Sequence, residues 1–564
     1  MIITSSERTR ALDPSMYLPA TAAEEAVAAE LAGLSETAPA GVARPAAPIG
    51  PTGPAGSTGD RPSLGPAYAA ALPGARAAVL TRLWRAFAFE PLPWITRRER
   101  GSGVLALRLA SGARLEGPLP DPYATTHSAT LSTAPPVTEL LLDGRPYRQA
   151  APLMAALGLP YGEEFAAELD DSTASLALSR AGQPAGPGTG AGPGAGQLAA
   201  WEWEQRVVDG HPYHPNCRSR PGFTVAEQLA YAPEHRPVVT LGLAVVRAAE
   251  CRVTGEWPDR WREAGRILVP VHPWQAEHVV KQGEPHGHEL RPGPAAHPLM
   301  ALRTLSPVDG GPHVKTALST RLTSSVRDIS VYSIDTAAAV SAFAQSLSER
   351  LDGRLHITRT LGAVTAGTPD LAAVLREPPE AYADRGAGER VLPVAALALT
   401  PYARSAPWRA GFARLALSVC LRMLELGVAL EAHGQNLLVV LSADGAPLRL
   451  VYRDLADIRI SPDRLARHSL STPPLSGRLI TDDVTLLRRK LFGSLVAGAL
   501  GSTAGSATAL AADLAAAAPG LPATADTRAL LTGPLPTKAL TLMRLSPGVP
   551  GDQWAELDNP LAGG

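Results

Sequence analysis

Residues 408–454 read WRAGFARLALSVCLRMLELGVALEAHGQNLLVVLSADGAPLRLVYRD. Phe412, Leu415, Val419, Met423 and Leu426 recur at helical spacing, so a helix with one apolar face is predicted from Trp408 to about Leu430. The apolar run LLVVL, the turn SADGAP with its Asp444-Gly445 pair, and LRLVYRD then predict an antiparallel hairpin. That hairpin sets Asp454 at the end of the returning strand, beside the Asn436 that precedes the outgoing one, with Glu431 in the loop between. Two carboxylates and an amide oxygen, with room for phosphate oxygens and water, are a normal Mg²⁺ arrangement. The competing reading is a helix end satisfied by local side chains, with Gly434 as its left-handed stop. That role does not call for Glu431, His433, Gln435 and Asn436 together.

Upstream, Lys315–Arg327 reads KTALSTRLTSSVR, with one lysine, two arginines, three threonines and three serines in thirteen residues. The chain has only four lysines, Lys281, Lys315, Lys490 and Lys538, against a large excess of arginine. A lysine retained here suggests a compact point charge on a phosphate. Thr323, Ser324, Ser325 and Arg327 add hydroxyl donors and a planar fork suited to carboxylate or phosphate. The alternative is a polar edge strand running into a helix cap. Arg303 lies just upstream, and Val314–Ser319 reads as a strand with Lys315, Ala317 and Ser319 on one face.

A third cluster is GHPYHPNCRSRPG, residues 210–222. In a polyproline-like backbone His211 and His214 project to the same side, with Arg218 and Arg220 close behind. This reads as a stiff cationic loop that closes on an anion. His211, His214 and Cys217 are also spaced like metal ligands, but no second pair of ligands follows. A proline-rich turn with solvated histidines is the remaining alternative.

The rest of the chain frames these clusters. Helices are predicted at about Ala22–Leu34, where Thr21 and Glu24 stand at capping-box spacing, and at Arg76–Phe89. Val104–Leu115 alternates like strand, and Val238–Val246 and Arg266–Val271 read as buried strands. The stretch 36–66 has almost nothing to bury and reads as a disordered excursion; 182–197 reads as a flexible linker. Strand-like VLPVAALAL opens the last section at Val391. The implied class is mixed α/β or α+β rather than a single wound sheet, in sections 1–197, 198–390 and 391–564. A formal charge of −1 points to no nucleic acid or acidic membrane as partner. The N-terminal residues lack a secretory apolar core, and no apolar run approaches the ~20 residues of a membrane span. Three widely spaced cysteines fit reduced thiols, and the expected compartment is the cytoplasm.

The GHPxHP loop, the Lys…Thr-Ser-Ser-x-Arg region, and HGQN followed by an Arg-Asp pair, in that order from about Glu204 to Asp457, resemble the IucA/IucC family. These are ATP-dependent siderophore synthetases of iron acquisition that work without a nonribosomal template. The resemblance implies a cupped-hand fold with a helical N-terminal thumb, nucleotide-binding fingers and a C-terminal palm, commonly as a homodimer. It implies that a carboxylate of citrate, succinate or a related acid is adenylated, and that an amine, a hydroxamate-bearing amine or a hydroxyl then displaces AMP. By the same resemblance, Lys315, Ser324, Arg303, His211, His214 and Arg218 hold ATP. Thr323, Arg327, His433 and Gln435 hold the acid, and Glu431, Asn436 and Asp454 hold Mg²⁺, with Lys315, Arg327 and His433 at the reacting centre. Two positions depart from the family pattern: Arg218 stands where lysine is usual, and Ala301 where serine is common.

Two rival readings use fewer of these residues. His433, Asn436 and Asp454 around a hairpin resemble a phosphotransferase loop, but no Gly-rich nucleotide loop precedes them. A carboxylate- or siderophore-binding protein without catalysis is the other.

Overall fold

The computed structural model describes residues 19–36, 64–125, 135–183, 198–282, 288–322 and 325–562. Most of the 36–66 excursion, most of the 182–197 linker, and Thr323 and Ser324 lie outside the described residues.

The first region pairs helices with a sheet. Helices Ala22–Glu36, Leu64–Phe89 and Gly162–Ala181 pack on a five-stranded antiparallel meander that starts at Ile95 and ends at Tyr147. Val79, Leu80, Leu83, Trp84 and Phe87 are all buried, as their helical spacing predicts. The backbone N–H of Thr21 donates to Glu24 Oε2 at 2.9 Å, one half of the expected capping box. The alternation at 104–115 resolves into two paired strands, Val104–Leu109 and Arg114–Pro118. The region is therefore not purely helical.

The middle of the chain builds a nine-stranded sheet. In spatial order it runs Arg252–Gly255, Thr360–Thr365, Ala372–Arg376, His313–Thr316, Thr304–Pro307, Leu290–Pro298, Val239–Arg247, Arg266–Val271 and Arg262–Glu263. The strand expected over 314–319 is broken at Ala317. His313–Thr316 belongs to this sheet, whereas Leu318–Leu322 turns away to pair with Ser325–Arg327. The last contact before the break is with Arg303, whose carbonyl accepts from both the backbone N–H of Thr316 (2.9 Å) and its hydroxyl (3.1 Å).

The helix after residue 405 spans Ala406–Leu426 and ends four residues earlier than its apolar pattern suggests. Gly427 stops it at φ +115°, where a side chain would meet Leu465 and Ser461 at 3.1 Å. The predicted hairpin forms, pairing Leu437–Leu441 with Pro447–Tyr452. It is completed on one side by Leu355–Ile357, in parallel, and on the other by Arg390–Pro393. The strand expected through Leu399 stops at Pro393 and continues as 3₁₀ turns, since proline lacks the N–H that would extend the ladder. This four-stranded sheet and the core beneath it draw residues from both sides of position 390. Among the described residues no single helix is long and apolar enough to cross a membrane.

The C-terminal helix Leu540–Leu545 docks back onto the first region. The Glu90 carboxylate accepts from the backbone N–H groups of Thr541 (3.2 Å) and Leu542 (2.8 Å). Burial pushes Glu90 up to about 7 from an ordinary 4.5, against those two hydrogen bonds and Arg85. The folded protein thus holds this proton to a higher pH than the unfolded chain does. Stability contributed by Glu90 is fully present below about pH 4.5 and is lost as pH rises to about 7. Glu90→Gln should therefore raise the melting temperature at pH 8, by up to ~3 kcal/mol of stability, and much less at pH 5. A wild-type-minus-variant difference that is flat between those pH values would show that Glu90 titrates normally.

Candidate active site

The two sheets meet at the Asp454 carboxylate. Lys315, on the interior strand His313–Thr316, is 6% exposed and reaches Asp454 Oδ2 at 2.6 Å. Asp454 lies just past the returning hairpin strand, at a left-handed φ of +73° that a non-glycine residue adopts at a cost. Its Oδ1 accepts from Arg376 Nη2 at 3.0 Å, and Arg376 ends the strand paired with that of Lys315. Burial alone would raise the Asp454 carboxyl, but Arg376 and Lys315 outweigh it and hold the group well below the usual range. Burial brings Lys315 down to about 7, opposed by Asp454, so its charge depends on a nearby anion.

The hairpin supplies the facing wall. Leu437 pairs with Tyr452, and the backbone N–H of Arg453 donates to the Asn436 carbonyl at 3.0 Å, so residues 436 and 454 share one end as predicted. The turn before it is built on His433. Its carbonyl accepts from the backbone N–H groups of Asn436 (2.9 Å) and Leu437 (3.0 Å), and its Nδ1 accepts from that of Gln435 at 3.2 Å. The neutral imidazole then carries its proton on Nε2. Burial lowers His433, with Lys538 and Lys490 adding to that and Glu431 opposing it. Gly434 is required by close approach: a Cβ there would stand 3.0 Å from the Ala395 backbone, whose N–H bonds the Gly434 carbonyl. Its role is this contact, not a left-handed stop.

Glu431 is placed beside His433, with Oε2 4.0 Å from the imidazole Nε2. Its Oε1 accepts from Lys490 at 3.2 Å and Lys538 at 2.9 Å. Those lysines also bind Asp552, at 3.4 and 3.3 Å, and Lys490 binds Asp457 at 2.6 Å. Glu431, Asp552 and Asp457 together keep Lys538 above its ordinary range despite burial. Arg376, Lys490, Lys538, Asp457 and Asp552 were not anticipated. The scarcity of lysine was the available signal for two of them, and strand pairing with Lys315 for Arg376.

Arg303 and Arg327 line the third side. Arg303 Nη1 donates to the carbonyls of Arg327 and Asp328, the latter at 2.9 Å, and Arg327 Nη2 donates to the Leu322 carbonyl at 2.9 Å. Burial lowers both guanidiniums, Arg303 to about 10.

The 210–222 loop differs from its expected form. His211 Nδ1 accepts from the backbone N–H groups of Tyr213 (3.2 Å) and His214 (3.1 Å), so the backbone turns instead of extending. The two rings stand at 82°. His211 stays open to solvent, while His214 is 1% exposed and is driven down to about 3 by burial, with Arg544 and Arg327 adding repulsion. Arg218 is turned inward. It donates to the carbonyls of Val207 and of Val208 (2.6 Å) and lies 3.7 Å from Glu234, so its guanidinium braces the loop instead of projecting toward the pocket. Among the described residues no group of three His, Cys, Asp or Glu side chains is placed to hold a metal, which leaves the His211, His214 and Cys217 alternative without support.

Residues 199–399 match the IucA / IucC family, and residues 406–550 match the family described as ferric iron reductase FhuF-like transporter. A Staphylococcus aureus relative, 2-[(L-alanin-3-ylcarbamoyl)methyl]-3-(2-aminoethylcarbamoyl)-2-hydroxypropanoate synthase, is 24% identical over 363 residues, 53% of this chain and 57% of the relative. The chain thus spans little more than half the length of that relative. The petrobactin biosynthesis protein AsbB of Bacillus anthracis shares the fold at a TM-score of 0.70 and 17% identity, over 88% of this chain and 98% of AsbB. ATP-bound aerobactin synthetase IucA of Klebsiella pneumoniae does so at 0.64 and 18%, over 86% and 99%. The order of the matched regions and the shared mixed α+β fold agree with the three sequence clusters: residues 199–399 are similar to the IucA / IucC family, and the chain shares the fold of its solved members.

Proposed function

We propose that this protein is an ATP-dependent siderophore synthetase that joins a carboxylic acid to an amine through an acyl-adenylate. The observation that carries the reading is the convergence of Lys315, Arg376, Asp454, His433 and Arg327 at the seam between the two sheets. A carboxylate attacking the α-phosphate of ATP brings anions together, and such a reaction needs fixed cations where that charge builds. Attack forms the acyl–O–phosphorus bond and expels pyrophosphate. The amine nitrogen then attacks the acyl carbon, loses a proton, and AMP leaves with the bonding electrons.

Within this reading Lys315, Arg303 and His211 face the triphosphate, with Ser324 by family resemblance. Arg327, His433 and Gln435 take the acid, with Thr323. Lys315 rests on Asp454 and would transfer its contact to phosphate as the nucleotide enters. The name of the Staphylococcus relative describes amides of a hydroxylated polycarboxylate, and the solved relatives serve petrobactin and aerobactin synthesis. A citrate-like acid and a primary amine are therefore the proposed substrate classes. A magnesium ion would neutralise phosphate charge when bound. Asn436 and the ionised Asp454 suit it in donor type and would hold it once Lys315 has passed from Asp454 to phosphate; Glu431 is likewise shared between two cations, Lys490 and Lys538. The thumb, fingers and palm division belongs to the same proposal, as does a homodimer.

Production of AMP and pyrophosphate, and not ADP, on incubation with ATP and a panel of carboxylic acids tests the reaction class. Lys315→Arg replaces a point charge by a wide fork on a buried strand, and should slow pyrophosphate release at least about tenfold, or ~1.4 kcal/mol. A wild-type rate in that variant would remove Lys315 from the chemistry. Arg327→Ala should raise the apparent KM for the acid and lower kcat/KM by roughly 30- to 150-fold, or ~2–3 kcal/mol. ATP affinity measured by calorimetry without acid should change little. Loss of ATP binding with normal acid dependence would reassign Arg327 to the phosphates.

A further inference from the structure

Glu168 lies on the helix Gly162–Ala181 of the first region, where neighbouring Phe165, Ala166 and Leu169 are buried and hold the helix in its core. Its carboxylate gathers side chains from three distant parts of the chain. Oε2 accepts from Asn216 Nδ2 at 2.6 Å and from Arg544 Nε at 2.8 Å, while Oε1 accepts from Arg544 Nη2 and, at 3.3 Å, from Arg321 Nη1. Each partner is tied to the candidate active site. Asn216 follows His214 by two residues and donates its backbone N–H to His214 Nδ1 at 3.0 Å. Arg321 pairs with Val326 across the hairpin whose other strand carries Arg327. Arg544 sits on the C-terminal helix six residues after Lys538, which binds Glu431.

An isolated exposed ion pair contributes little to stability. One carboxylate shared by two guanidiniums and an amide instead fixes the mutual position of the groups that hold it. The apolar packing of the helix does not need this fork, and the apolar cores do not join the Arg321 hairpin to the first region.

We propose that Glu168 is a positioning residue: through Arg321, Asn216 and Arg544 it sets the Arg327 hairpin, the His214 loop and the Lys538 end of the site in register for the acid substrate. This inference rests on the synthetase reading for its kinetic consequence but not for its structural one. Glu168→Gln and Arg321→Gln test it in the full chain. Arg321 is 46% exposed at its side chain, so Arg321→Gln should melt within about 2 °C of wild type. Amide hydrogen exchange without ligands should nevertheless quicken about threefold or more over residues 318–322 and 325–330. For Glu168→Gln the same change should extend to 211–219 and 540–545. In turnover, each variant should lower kcat/KM for the acid about tenfold, chiefly through KM, with the KM for ATP changed less than about twofold. The double variant should be no worse than Glu168→Gln alone, the sign that both act through one contact. Unchanged exchange over 318–330, or additive losses in the double variant, would overturn the proposal. Altered exchange in the variants, with a wild-type chain that activates no acid, would leave the tether standing and remove the synthetase reading.

Discussion

Lys315 and Asp454 meet at 2.6 Å across the seam between the nine-stranded and the four-stranded sheet, and much of the surrounding geometry depends on that contact. The buried Lys315 ammonium is costly to desolvate, and removing the half-buried Asp454 would leave it uncompensated. Arg376 makes the arrangement asymmetric: one carboxylate answers two cations. The excess positive charge is a local field already in place for an incoming polyanion. Asp454 accepts a left-handed backbone to serve both cations, which places its strain where the chemistry is proposed to occur.

The opposite end of the pocket has the inverse balance. Lys490 and Lys538 stand among Glu431, Asp457 and Asp552, so each lysine faces at least two carboxylates. His433 lies between the two clusters and is kept neutral by burial, with the Glu431 charge working the other way. A neutral imidazole with its proton on Nε2 can donate a hydrogen bond without adding to the repulsion among the neighbouring cations. The site therefore has a cation-rich end and a carboxylate-rich end, which in the proposed reaction would suit an acid activated at one end and an amine arriving at the other.

The hairpin, the 406–426 helix and the adjacency of Asn436 and Asp454 were legible because period and turn chemistry are local signals. The sheet across residue 390 was not, since Leu355–Ile357 and Pro447–Tyr452 are some ninety residues apart and pair in parallel without a local signature. The 210–222 loop misled for a different reason. Proline spacing argued for an extended backbone, but His211 uses its own Nδ1 to close a turn, and the second imidazole goes into the interior. Family resemblance assigns Arg218 to ATP, but its guanidinium turns inward onto the Val207 and Val208 carbonyls: charge is visible in sequence and direction is not.

Arginine and lysine divide their work by shape. All four lysines bond carboxylates: Lys281 on Glu277, Lys315 on Asp454, and Lys490 and Lys538 on the Glu431 cluster. Some arginines in the same region bind carboxylates, as Arg376 does Asp454, but several serve carbonyl oxygens. Arg82 spans the carbonyls of Asp209, His211 and Pro212, Arg218 those of Val207 and Val208, and Arg303 those of Arg327 and Asp328. A planar fork with five donors can brace irregular backbone, whereas a compact ammonium concentrates its charge at one point and can move from carboxylate to phosphate by turning a few bonds. In a chain so rich in arginine, loops around the site are held by forks, and three of the four lysines stand in its two carboxylate clusters. The rarity of lysine is thus a physical marker of the site, more specific than the density of positive charge around it.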